Sequence, residues 1–297
     1  MKILLFGRNG QVGWELQRSL VPLGEVVSLD RAGEAGLAGD LADPEAVART
    51  VLQVRPDVVV NAAAYTAVDK AESDQRLART INAEAPAAIA RASQEVGAAL
   101  VHYSTDYVFD GTGTRPWQEQ DTTGPLSVYG QTKLEGEQRI AQALARHLIL
   151  RTSWVYGARG GNFAKTMLRL ARERDELKVV DDQVGAPTGA DLLADVTAHA
   201  IRSCMDGRAA PGVYHVAAGG ETSWHGYARF VVGKAQQAGQ VLKAGPHKVV
   251  PIPSSAFPTP ARRPHNSRLD TSRFRATFGL ALPHWEQGVA RMLQEIF

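Results

Sequence analysis

The chain has 297 residues, 44% hydrophobic and 22% charged, enough apolar material for a large core in one or two domains and too much for a disordered chain. Its 33 basic and 31 acidic side chains leave a formal charge of +2, too even a balance for nucleic acid or an anionic membrane as the main partner. Cys204 is the single cysteine, which excludes an internal disulfide and points to a reducing, cytoplasmic setting; no apolar run has the length of a signal-peptide core or a membrane span.

At the start of the chain, the apolar run Ile3-Leu4-Leu5-Phe6 leads directly into Gly7-Arg8-Asn9-Gly10-Gln11-Val12-Gly13 and then into a helical pattern. A phosphate reaches the positive end of a helix only where side chains are absent, so strand, glycine loop and helix together form a site for a dinucleotide pyrophosphate. The spacing is G-x-x-G-x-x-G, a moderate signal in a chain with 28 glycines. Two further segments strengthen it. A second apolar strand, Val26-Val27-Ser28-Leu29, ends in Asp30, where a carboxylate takes the hydroxyls of the adenosine ribose, and Asp40-Leu41 closes the next segment beside the adenine.

Apolar strands are predicted at residues 3–7, 26–30, 57–63, 99–105 and 147–153, with helices at 12–21, 44–54, 82–96 and 128–145 between them. Repeated strand-helix-strand units with near-continuous apolar strands specify an α/β fold, a Rossmann-type doubly wound parallel sheet with both faces covered. Ligands of such sheets bind beyond the carboxyl ends of the strands. Residues 1–156 are expected to form this dinucleotide-binding domain. From residue 157 the alternation loosens, and 157–297 is expected to be mainly a smaller C-terminal substrate-binding cap, with part of it, about 185–220, returning to the main sheet through Val213-Tyr214-His215-Val216.

The acid-base chemistry is expected at Tyr129-Gly130-Gln131-Thr132-Lys133, which puts a phenol and an ammonium on one face of a helix. A nearby positive charge, from Lys133 and from an oxidised nicotinamide, is expected to lower the phenol from its usual value near 10 toward working pH. The preceding strand ends in Ser104-Thr105, and a hydroxyl there is placed to share a substrate carbonyl oxygen with the phenol. Trp154 offers a sugar a flat apolar face with one donor. Arg262, Arg263 and Arg268, near a proline-rich stretch, form a basic cluster suited to a diphosphate. The histidines show no paired ligand spacing, so a catalytic zinc is not expected.

Taken in order, Gly7-x-x-Gly10-x-x-Gly13, Asn61-Ala62-Ala63-Ala64, Ser104-Thr105-Asp106-Tyr107-Val108-Phe109-Asp110-Gly111 and Tyr129-x-x-x-Lys133 resemble the extended short-chain dehydrogenase/reductase family over nearly the whole chain. Further blocks, among them Arg151-Thr152-Ser153-Trp154-Val155-Tyr156 and Asp182-Gln183-Val184-Gly185-Ala186-Pro187-Thr188, narrow the resemblance to its nucleotide-sugar reductases. The resemblance implies hydride transfer from NADPH or NADH to the C4 ketone of a dTDP-sugar, with Tyr129 as proton donor, Thr105 on the carbonyl and Lys133 also on the nicotinamide ribose. It implies a cofactor site made by Gly7, Gly10, Gln11, Val12, Gly13, Asp30, Asp40, Leu41, Ala64, Tyr65, Thr66, Tyr129 and Lys133. Thr105, Asp106, Trp154 and Asn162 are implied on the sugar nucleotide, beside the arginines. Some members hold Mg²⁺ between the subunits of a homodimer, and the matching acids here are Glu15, Asp191 and Glu295, of which Asp191 is shorter than the glutamate expected. A nucleotide-sugar epimerase with tightly held NAD and a catalytically silent regulatory subunit share the fold and stay open from sequence.

Overall fold

The computed structural model describes residues 1–297. Its central sheet is built from β1 (Lys2–Phe6), β2 (Glu25–Leu29), β3 (Val58–Asn61), β4 (Ala99–Thr105), β5 (His147–Thr152) and a sixth strand, β6 (Gly212–His215). The helices α1 (Gln11–Leu20), α2 (Pro44–Val54), α3 (Ala85–Val96), α4 (Val128–Ala143), α5 (Phe163–Glu173), α6 (Ala190–Met205), α7 (Trp224–Gln237) and α8 (Trp285–Ile296) follow in chain order. The spatial order is β6-β5-β4-β3-β1-β2, and every pair is parallel.

Strand alternation explains why both faces are covered. Ile3 and Leu5 of β1, Val58 and Val60 of β3 and Leu148 and Leu150 of β5 pack on one face with Leu16 and Leu20 of α1 and Leu193 and Ile201 of α6. Leu4 and Phe6, Val59, Leu100 and Ile149 point the other way, onto Val47 and Val51 of α2, Ile89 of α3 and Ile140 of α4. Burying one such aliphatic or aromatic side chain contributes about 1.5–3 kcal/mol, so these two layers dominate the stability of the sheet.

A third core lies apart from the sheet. Here α5, α7 and α8 gather Leu168, Tyr227, Val231, Val289 and Leu293, roofed by the parallel pair Leu177–Val180 and Val249–Ile252. Helix α6 and β6 belong instead to the sheet, with α6 beside α1.

The strand sequence reverses direction at β1: the chain adds β2 on one side, then crosses to β3 on the other. At that switch point the loops after β1 and β3 diverge and leave a crevice. One expected boundary moves. The helix anticipated from residue 82 is preceded by Gln75–Arg79 and a π-turn, Thr80–Glu84, whose wider winding directs the buried Asn82 at Tyr65 and Thr132. Periodicity reads apolar spacing, and the extra residue of a π-turn breaks that register.

Candidate active site

The crevice at the switch point has a volume of about 700 Å³ and is walled by the loops following β1, β2, β3, β4 and β5. The glycine loop forms its floor. Gly7 has φ +89°, and a Cβ there would lie 2.7 Å from the Ala63 nitrogen, so only glycine brings the two loops together. Gly10 lies at the N-terminal end of α1 with no side-chain cap, leaving the positive end of the helix to face the crevice. Gln11 and Val12 line the crevice; Gly13 lies behind it, where a Cβ would sit 2.0 Å from the Gly7 carbonyl oxygen. This backbone cradle, which side chains would fill, fits a pyrophosphate.

Toward the far end, Asp30, Arg31, Asp40 and Leu41 line the crevice. Asp30 accepts from Arg8 Nε at 3.2 Å, from Asn9 Nδ2 at 2.8 Å and from the Ala32 N–H at 2.9 Å. Desolvation works against its ionisation, but these donors outweigh it and hold the carboxyl below its ordinary value. Arg8 is further engaged by the Ser28 carbonyl and by Glu34. Ala64 and Thr66 line the wall after β3, whereas Tyr65 turns inward, its hydroxyl donating to Asp74 at 3.2 Å and its N–H to Asn82 at 2.9 Å.

At the centre of the crevice Thr105, Asp106, Tyr129 and Lys133 meet. Ser127 caps α4 by accepting from the Gly130 N–H, which starts the helix just before Tyr129 and presents Tyr129 and Lys133 one turn apart. Tyr129 lies edge-on to Tyr107 with ring centres 5.5 Å apart. Thr105 accepts from the Tyr107 N–H at 3.2 Å and donates to Asp106 Oδ1 at 3.1 Å. Asp106 is 1% exposed and its Oδ2 has no protein partner; burial lifts the carboxyl to about 6 against the pull of Ser267 and Thr105.

In the protein alone, burial outweighs the lowering of the phenol expected from Lys133 and an oxidised nicotinamide. Burial pushes Tyr129 up to about 12, with the Thr105 hydroxyl pulling down and the Asp106 charge pushing further up. Lys133 Nζ is engaged behind the crevice, donating to the Tyr103 carbonyl at 2.6 Å and lying 3.1 Å from His102 Nε2. Burial also brings the Lys133 ammonium down to about 8, with Glu137 opposing.

Trp154 borders the crevice with φ +49°, a conformation rare outside glycine. Its ring is packed over Gly185, where a Cβ would come within 2.8 Å, and lies on Trp224 with centres 3.7 Å apart and planes 14° from parallel. Trp224 also lines the crevice. Sequence reasoning missed it, because its only signal is an aromatic at the first position of a helix far along the chain.

Four of the residues anticipated on the substrate do not line the crevice. Asn162 caps α5 by accepting from the Lys165 N–H, and its Nδ2 donates to Gln11 Oε1 at 3.1 Å and to the Gly157 carbonyl at 2.8 Å. Arg263 forms a two-pronged pair with Asp69 at 3.0 and 2.8 Å, and Arg262 is exposed. Arg268 pairs with Glu221 at 2.7 Å, so the basic cluster is divided among separate partners. Within one chain, two of the acids anticipated for an intersubunit Mg²⁺, Asp191 and Glu295, lie against Arg291, and the third, Glu15, pairs with Arg18. No helix is long and apolar enough to cross a membrane.

Comparison with known proteins agrees with this geometry over the full length. The family described as RmlD substrate binding domain matches residues 1–297. A dTDP-4-dehydrorhamnose reductase of Shigella flexneri is 57% identical over 297 residues, covering 100% of this chain and 98% of the relative. Among solved structures, a dTDP-4-dehydrorhamnose reductase of Clostridium acetobutylicum is 38% identical, with a TM-score of 0.88 and 99% of each chain covered. One of Bacillus anthracis in complex with NADP is 35% identical, also with a TM-score of 0.88 and 99% coverage of each chain. The chain belongs to the RmlD substrate-binding-domain family, that of the dTDP-4-dehydrorhamnose reductases.

Proposed function

We propose that this protein reduces the C4 ketone of dTDP-4-dehydro-L-rhamnose to give dTDP-L-rhamnose, using NADPH or NADH. The observation that carries the reading is the meeting of Thr105, Asp106, Tyr129 and Lys133 in one crevice with the glycine cradle at the end of β1. The reduced cofactor, when bound, supplies a hydride to the carbonyl carbon.

The protein's own residues do the rest. Gln11 and Val12, in the first turn of α1, would hold the pyrophosphate through backbone N–H groups, with Gly7 and Gly10 letting it approach, Asp30 the adenosine ribose, and Asp40 and Leu41 the adenine edge. Tyr129 gives its proton to the carbonyl oxygen as charge builds there, and a phenol held near 12 is fully protonated at neutral pH, the state a donor needs. Thr105 donates a hydrogen bond to the same oxygen once its hydroxyl leaves Asp106. Asp106 Oδ2 accepts from a sugar hydroxyl, and the Trp154–Trp224 stack supports an apolar face of the sugar nucleotide.

Net consumption of added NADPH or NADH with the ketosugar, one equivalent per product, tests the reading; an epimerase would interconvert the sugar with no net change. A silent regulatory subunit would show no turnover at all, and the complete Thr105, Tyr129 and Lys133 set weighs against it.

A further inference from the structure

Beyond the parallel pair Leu177–Val180 and Val249–Ile252, the two chain segments leave side by side, and the Asp181 N–H still donates to the Ile252 carbonyl at 3.0 Å. The residues that follow interlock in a fixed donor-acceptor order. The Trp224 indole N–H can only donate, and it lies 3.1 Å from Gln183 Oε1. That fixes the Gln183 amide and turns its Nε2 to Ser254 Oγ, 2.9 Å away. Ser254 in turn donates its hydroxyl proton to Asp182 Oδ1 at 2.5 Å and its N–H to the same carboxylate at 3.0 Å. Desolvation opposes the charge of Asp182, but the Ser254 hydroxyl and N–H lead the groups that hold the carboxyl below its ordinary value. The chain of hydrogen bonds therefore ends on an anchored anion.

We propose that Gln183 is a positioning residue for sugar recognition: its amide carbonyl holds the Trp224 indole flat on Trp154 and so sets the affinity of the crevice for the ketosugar. Gln183 does not itself line the crevice, whereas both indoles do. This deepens the reductase reading and rests on it for the identity of the sugar.

The same segment shapes both halves of the stack. Gly185 lies against the Trp154 ring, and only the absence of a Cβ lets the ring pack there. Val184 and Gly185 pair antiparallel with Ser223 and Thr222, the residues just before Trp224. Ser223 caps α7 by accepting from the Gly226 N–H at 2.9 Å and gives its own proton to Asp181. Pairing and cap fix where Trp224 leaves the backbone, yet its indole can still turn about the side-chain bonds. Phe163, with ring centres 4.6 Å apart, and Trp154 offer it only apolar faces. Gln183, 8% exposed, supplies the one directional contact, and an indole swung away from it would lose the hydrogen bond of its only N–H.

The test uses the full-length protein. In Gln183→Leu, which fills similar space without an acceptor, KM for the ketosugar should rise about threefold, the ordinary worth of a hydrogen bond, with kcat and KM for the cofactor little changed. In a Trp224→Phe background, where the ring has no N–H, the same substitution should leave KM where it was. A merely structural glutamine would raise KM equally in both backgrounds, or move kcat and the cofactor KM as much, and either result, like an unchanged KM, would overturn the proposal. If Gln183→Leu fails to fold, Ser254→Ala frees the far end of the amide and should raise KM in the wild-type background alone; no effect, or an equal one in both, would overturn it. One measurement needs no sugar. In ¹⁵N–¹H spectra of the free protein the Trp224 indole N–H, one of five, is assigned by its loss in Trp224→Phe; it should exchange slowly with solvent and shift in Gln183→Leu. Fast exchange in the wild type, or an unmoved signal in the variant, would contradict the assignment. Absence of turnover would sink the reductase reading and leave the indole signal to decide this one.

Discussion

Trp154 lies flat on Trp224, ring centres 3.7 Å apart, although the two side chains come from opposite ends of the site: one follows a strand of the main sheet and the other begins a helix of the smaller core. The stack therefore joins the two cores at the crevice. Trp154 holds a left-handed backbone to take part, a strain of about 1–3 kcal/mol that stable packing must offset. Trp224→Ala should raise KM for the ketosugar about tenfold with a smaller effect on kcat, as expected of a binding surface rather than a reacting group. Trp224→Phe should recover most of the loss. Steady-state kinetics on the three proteins decide it.

Tyr129→Phe removes the one proton donor placed with Thr105 and leaves the ring contact with Tyr107. The expected loss in kcat is about 10²–10⁴-fold, with KM for sugar and cofactor nearly unchanged. An equal loss in KM alone would assign the phenol to binding.

Arg8 is held from two sides, by Asp30 and by Glu34. This removes from the ribose end a guanidinium that would otherwise favour the additional phosphate of NADPH. Glu34→Gln should release it and improve kcat/KM for NADPH relative to NADH by about three- to tenfold, a change of the size that one exposed charge contact supports. Parallel assays with both cofactors measure the ratio directly.

Asp106 carries a stability cost that depends on pH. In the folded chain its carboxyl keeps its proton up to about 6, against an ordinary value of 3.8 when unfolded. A raised carboxyl means that the unfolded state releases its proton first, so stability falls as pH rises from near 4 to near 6. Asp106→Asn should remove that fall and gain, relative to the parent, roughly 3 kcal/mol by pH 7. It should also weaken ketosugar binding, since an acceptor for a hydroxyl is lost. Denaturant unfolding of both proteins between pH 4 and 7 gives the difference curve.

The sheet was legible because its strands are short, apolar and punctuated: Phe6-Gly7, Leu29-Asp30 and Thr105-Asp106 each mark where a strand ends and the crevice begins. The glycine cradle and the Tyr129–Lys133 spacing were legible for the same local reason. What depends on distant partners was not. Arg263 reads as a phosphate ligand until Asp69, far away in the chain, is found holding it, and Asn162 reads as a sugar contact until it is seen capping a helix beside Gln11. Where the Lys133 nitrogen points was not legible, because a turn of helix fixes only which face a side chain shares, and the buried Tyr103 carbonyl and His102 ring decide the rest.

Hydride delivery to the sugar carbonyl, with Tyr129 protonating the oxygen, is tested most directly with a cofactor carrying deuterium at the transferable position. After incubation with dTDP-4-dehydro-L-rhamnose, the product should be dTDP-L-rhamnose with one deuterium at C4, formed in step with cofactor oxidation and lost in Tyr129→Phe. Unlabelled product, label at another carbon, or sugar converted without net oxidation of the cofactor would contradict it.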